Sequence, residues 1–185
     1  MTQILTKARH TVGGKLLLTA GAITGAVLLP QLVHLIGAVS GVGSALGELL
    51  LPMHFFVILA GFLAGPAVGF AAGACAPLIS SLLSGMPSET ILPFMMIELI
   101  GYGFAAGLLS ETRLNGFLKL LAVQLSGRLS RASAVLIAVY AFDLKTIGVA
   151  SIWNTVRVGL LGILLQWCLL PLLLSWLNRS ETDRD

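Results

Sequence analysis

Between Leu16 and Leu177 the chain is a succession of apolar stretches of membrane-spanning length, and ionisable residues sit inside them. Arg128, Arg131, Arg157 and Glu98 each lie in an otherwise apolar run. A charge at bilayer depth costs several kcal/mol unless it faces a partner or a wet cavity, so each such residue is a candidate functional position. The fold therefore has to satisfy two conditions: bury apolar helices in lipid, and give these charges somewhere polar to point.

Composition agrees with the first condition. Hydrophobic residues make up 57% of the chain and charged residues 10%, whereas soluble domains carry about a quarter charged residues. No polar stretch is long enough for a soluble catalytic domain, so the chain reads as one integral membrane domain. Residues 1–15 form a cytoplasmic N-terminal segment, 16–177 the membrane domain, and 178–185 a cytoplasmic polar tail. The net charge of +3 carries no nucleic-acid signal, because the basic residues gather at helix ends. Cys75 and Cys168 both fall in apolar runs and read as small buried hydrophobes. Lys7, Arg9 and Lys15 followed by an apolar run, with Ala38-Val39-Ser40 beyond it, have the outline of a signal peptide. The run Leu16–Ile36 is longer than a signal core of about 7–15 residues, so it reads as a retained first span.

Six spans are expected, making an all-α integral membrane protein. They run over about Leu16–Ala38, Pro52–Ala64, Ala67–Ser84, Pro93–Leu109, Phe117–Ala141 and Ile152–Leu177. Gly65-Pro66 marks a turn between the second and third. Both of these are short for a hydrocarbon core of roughly 30 Å. With a cytoplasmic N-terminus and an even number of spans, Lys7, Arg9, Lys15, Arg113, Lys119, Arg179 and Arg184 fall at the inner face and Lys145 outside. That is the positive-inside distribution.

This orientation assigns depths. Glu98 and Arg157 lie roughly 8 Å below the outer ends of their helices, at 1.5 Å per residue. Arg131 is somewhat deeper and Arg128 one turn deeper still. His54, Trp153 and Asn154 are expected near the outer rim, and the inner half offers little besides Gln166. The polar groups thus converge on an outward-opening cup suited to capturing a solute. The competing view is an internal salt-bridge network that only fixes helix packing. Small-residue steps supply a second signal: Gly61, Gly65, Gly69 and Gly73, then Gly103 and Gly107, allow close helix approach in lipid. Gly21, Ala22, Gly25 and Ala26 form a doubled step on the first span, suited to a partner helix or to internal packing.

Several runs, taken together and in order, resemble the substrate-binding S components of energy-coupling-factor (ECF) vitamin transporters. They are Leu51-Pro52-Met53-His54, Ala60-Gly61-Phe62-Leu63-Ala64-Gly65-Pro66-Ala67-Val68-Gly69, Ser84-Gly85-Met86-Pro87, Glu98-Leu99-Ile100-Gly101-Tyr102-Gly103, Gly127-Arg128, and Gly162-Ile163-Leu164-Leu165-Gln166 followed by Pro171. The resemblance implies a six-helix bundle with both termini in the cytoplasm, a vitamin-like ligand near the outer face, and no ATPase of its own. It also implies docking on a transmembrane T subunit that carries two ATPase subunits. Family members dock through an Ala-x-x-x-Ala stripe, which Ala22 and Ala26 match. No phosphate-binding Gly-x-x-x-x-Gly-Lys-Ser/Thr loop occurs in the chain.

An intramembrane enzyme is disfavoured. Asp143 is the one aspartate before the tail, no nucleophile elbow occurs, and metal-ligating residues are scattered. No catalytic, metal or cofactor residue is expected. A stand-alone secondary transporter would show two related halves, which are not visible, and a structural subunit of a larger complex is the remaining alternative. The expected substrate-binding set is His54, Glu98, Tyr102, Arg128, Arg131, Trp153, Asn154 and Arg157, with Phe55 as a further stacking surface. Three arginines against one glutamate favour a carboxylate- or phosphate-bearing solute such as a pantothenate-like acid. A neutral aromatic such as a benzimidazole or its riboside is the alternative.

Overall fold

The computed structural model describes residues 11–182, apart from Val42 and Ser44 and the side chains of Leu46 and 176–182. Lys7, Arg9, Arg184 and the side chain of Arg179, which enter the orientation argument, lie outside the described residues. The elements of the described chain are all helices: α1 (Val12–Val39), α2 (Ala45–Leu50), α3 (Pro52–Ala64), α4 (Pro66–Ser84), α5 (Leu92–Leu109), α6 (Gly116–Tyr140), α7 (Ala150–Val158) and α8 (Leu160–Thr182). Five segments are long and apolar enough to cross a membrane, or six if α7 and α8, bent by 52° at Gly159, count as one span. This is the architecture of a multi-pass membrane protein.

Local sequence sets the boundaries. Thr11 caps α1 by accepting a hydrogen bond from the Gly14 N–H at 3.1 Å, which satisfies one of the free donors of the first turn. Asn115 caps α6 in the same way through Leu118 N–H at 2.8 Å. Gly65, at φ 90°, is the one residue between α3 and α4, and Pro66 opens α4. Glycine reaches that φ without the Cβ clash that other residues incur, and proline at a first helical position gives up no hydrogen bond.

The second span differs from expectation. It begins at Gly47 rather than Pro52 and covers 18 residues, because α2 precedes α3 and joins it through Leu51 in the left-handed conformation (φ 49°). The proline that looks like a helix start is a joint within the span. The Leu51 carbonyl still accepts from Phe55 N–H at 3.4 Å and from Gln166 Nε2 at 3.5 Å. Gln166 Oε1 in turn accepts from Gln124 Nε2 at 2.6 Å. This buried amide pair ties α6, α8 and the α2–α3 joint together.

The packing centre is the seam where α5 meets α3 and α4. A Cβ on Gly61 or Gly69 would overlap the Gly103 carbonyl, one on Gly73 the Leu99 backbone, and one on Gly107 the Pro66 backbone. The helices therefore touch main chain to main chain, the arrangement that small residues permit in lipid. Val57, Ile58, Ala72, Ala76, Leu99 and Ala106 fill the seam and are fully buried.

Candidate functional site

One carboxylate organises the polar interior. Glu98, on α5, is completely buried. Its Oε2 accepts from Arg131 Nη1 at 3.0 Å. Its Oε1 lies 2.9 Å from Arg128 Nη1, 3.3 Å from the Tyr102 hydroxyl that donates to it and 3.8 Å from His54 Nε2. The Arg128 contact is an ion pair without hydrogen-bond alignment, since none of the Arg128 nitrogens has an aligned partner. Arg131 by contrast makes a charge-assisted hydrogen bond, the stronger arrangement.

Helical spacing explains the convergence. Glu98 and Tyr102 stand one turn apart on one face of α5, and Arg128 and Arg131 three residues apart on one face of α6. Gly127 lets the two faces close: a Cβ there would strike the Tyr102 ring. Tyr102 also meets the His54 ring edge-on at a centroid distance of 5.5 Å. Two guanidinium groups against one carboxylate leave a buried net positive charge when His54 is neutral. Both His54 ring nitrogens and Arg131 Nε are buried without a hydrogen-bond partner.

This cluster forms the floor of a cavity of about 560 Å³, within the usual size range of small-molecule sites. Glu98, His54 and Arg131 line its base. The walls come from the end of the bundle that carries the α1–α2, α4–α5 and α6–α7 connections, with His34, Glu48, Thr90, Ser151, Asn154 and Thr155 among the polar lining groups. Serines hold the α4–α5 connection in place. Ser80 Oγ donates to the Met86 carbonyl at 2.8 Å and Ser81 Oγ to the Pro87 carbonyl at 2.9 Å. Gln31 Nε2 reaches across from α1 to Ser84 Oγ at 2.8 Å and Ser80 Oγ at 3.2 Å. Among the described residues no group of three His, Cys, Asp or Glu side chains is placed to hold a metal ion.

The expected site residues divide. His54, Glu98, Tyr102, Arg128 and Arg131 come together, and Asn154 lines the cavity. Arg128 and Tyr102 support the floor from behind without lining it. His54 is not at the rim: it is buried at the base, because the span starts earlier than Pro52. Arg157 and Trp153 do not belong to the cavity. Ser151, Asn154, Thr155 and Val158 share the cavity face of α7, while Trp153 and Arg157 are exposed outside the cavity lining, Trp153 to 71%. Phe55 packs edge-on against Phe56 at 5.6 Å and is not a cavity residue.

The small-residue stripe of α1 needs a similar correction. Ala26 is fully buried, Ala22 packs on the core, and a Cβ on Gly25 would strike the Phe56 ring. These three serve α1–α3 packing, and of the four only Gly21 faces open space. The lining hydroxyls Ser151 and Thr155 and the Ser80–Ser84 brace were not anticipated. Their signal was present: Ser80, Ser81 and Ser84 are the only hydroxyl side chains of the apolar α4 run and immediately precede Gly85-Met86-Pro87.

Comparison with protein-family models, with curated proteins and with solved structures finds no match to this chain.

Proposed function

We propose that the protein is the substrate-binding S component of an ECF-type importer, which captures a small solute from outside and passes it to ATP-driven partner subunits. The observation that carries this reading is the cavity itself. It is open at one end of the bundle and floored by a buried charge cluster with unused hydrogen-bonding capacity. A network serving packing alone would satisfy its own donors and would have no need of a cavity above it. The Lys and Arg distribution supports an orientation with the open end outside and both termini in the cytoplasm, in a cytoplasmic membrane. The lack of a phosphate-binding loop fits a subunit energised by a T subunit and two ATPases.

Docking on the T subunit then falls to the outward face of α1 around Ala20, Gly21 and Thr24, all exposed, rather than to Ala22 and Ala26. Co-expression of the tagged chain with an ECF T subunit and its ATPases tests the assignment. A stable complex that takes up solute only with ATP is expected. A chain that purifies alone and moves solute by itself in proteoliposomes is instead a secondary transporter.

A further inference from the structure

We infer that the cavity takes an organic monocarboxylate, its carboxylate seated against Arg131 and His54 and a partly polar body filling the space above. This deepens the solute-capture reading and rests on it.

Charge and hydrogen-bond capacity carry the argument. With His54 neutral, Arg128, Arg131 and Glu98 sum to one positive charge at the buried floor; the Glu48 carboxylate also lines the cavity but is exposed. One negative charge balances that sum. A phosphate monoester, near −2 at neutral pH, would reverse it. A cationic solute finds no free buried carboxylate, because each Glu98 oxygen already lies within 3.0 Å of a guanidinium nitrogen. The unused groups at the base include a donor of the right kind. Arg131 Nε–H is buried without a partner, and so are both nitrogens of His54, one of which carries a proton in the neutral ring. Both residues line the cavity.

The walls describe the rest of the molecule. Pro30, Leu51, Met53, Ile91, Met95 and Val158 supply apolar surface. His34 Nδ1 and Ser151 Oγ are also buried without partners on that wall, so the body carries hydrogen-bonding groups and is not a plain hydrocarbon chain.

The test uses the full-length protein in lipid nanodiscs and a broad library of water-soluble monocarboxylates, each paired with its primary amide. Thermal stabilisation finds ligands and calorimetry ranks them. Acids are expected to bind and their amides to bind at least about thirty-fold more weakly, the effect of losing one charge-assisted contact at a buried site. Arg131→Lys keeps the charge but loses the planar fork, and should weaken the acids while leaving the protein folded. Arg157→Gln, exposed outside the cavity lining, should bind them as the parent does. Amides or amines that bind as well as the acids overturn the proposal, as does a library in which no acid binds. The comparison on the unaltered protein stands even if an Arg131 variant fails to fold. Complex formation with the T subunit is read separately. Acid binding without a complex removes the S-component reading and keeps the ligand class, and a complex that imports a neutral solute does the reverse.

Discussion

The seam of α3, α4 and α5 and the half of the bundle built by α6, α7 and α8 are held differently. In the seam the helices meet where side chains are missing, and the glycines Gly61, Gly69, Gly73, Gly103 and Gly107 each sit against another helix's backbone. Across α6–α8 polar attachments join close approaches, which recur at Gly127 and Gly162: Arg128 and Arg131 reach to Glu98, and Gln124 reaches to Gln166. Helix α7 contributes no buried residue, and it bends away from α8 by 52°. Lipid is as apolar as a leucine side chain, so hydrophobicity cannot choose between partners inside a bilayer. Close packing alone fixes the seam, and paired charges add to it in the half where a cavity opens.

Substitutions on either side sharpen this contrast. Glu98→Ala strands two buried guanidinium groups and should have the largest effect, a loss of about 3–5 kcal/mol, read by thermal unfolding in mild detergent. Glu98→Ala combined with Arg128→Leu and Arg131→Leu should recover much of that stability while abolishing the polar floor, since apolar replacement of a buried ionic group is often neutral or better. Gly103→Val forces α5 off Gly69 and should cost about 1–3 kcal/mol or more, with no dependence on charge. Gln124→Ala leaves Gln166 Oε1 without its donor and should cost about 1 kcal/mol. Arg157→Ala should shift stability by no more than about 0.5 kcal/mol. A large loss there would mean that α7 turns its other face to the bundle.

Much of this was legible before the structure, and the misses have physical causes. A charge in an apolar run announces itself, so Glu98, Arg128 and Arg131 stood out, and the glycine steps of the seam were equally plain. Depth was harder. Pro52 reads as a helix start, and nothing in local sequence says that a short helix precedes it through a left-handed Leu51. His54 was therefore placed too near the surface. Face was harder still. Asn154 and Arg157 are neighbours three residues apart on α7, and which of them meets the cavity and which falls just outside it depends on how α7 is rotated against the bundle. The stripe on α1 shows the same limit: Ala22, Gly25 and Ala26 suit any close helix, and Phe56 of α3 takes the place allotted to a partner subunit.

The central claim of the proposal is that the cavity opens on the outer face and reaches the Glu98 cluster, and paired cysteines on α5 test it without knowledge of the ligand. Met95 lines the cavity, while Ile97, half a turn away, faces a groove on the outer surface of the bundle between α5 and α6. In a background lacking Cys75 and Cys168, a membrane-impermeant maleimide added to intact cells should label Met95→Cys and spare Ile97→Cys, because a thiol in lipid stays unreactive. Labelling of Ile97→Cys alone, or of Met95→Cys only after the cells are opened, would contradict the account.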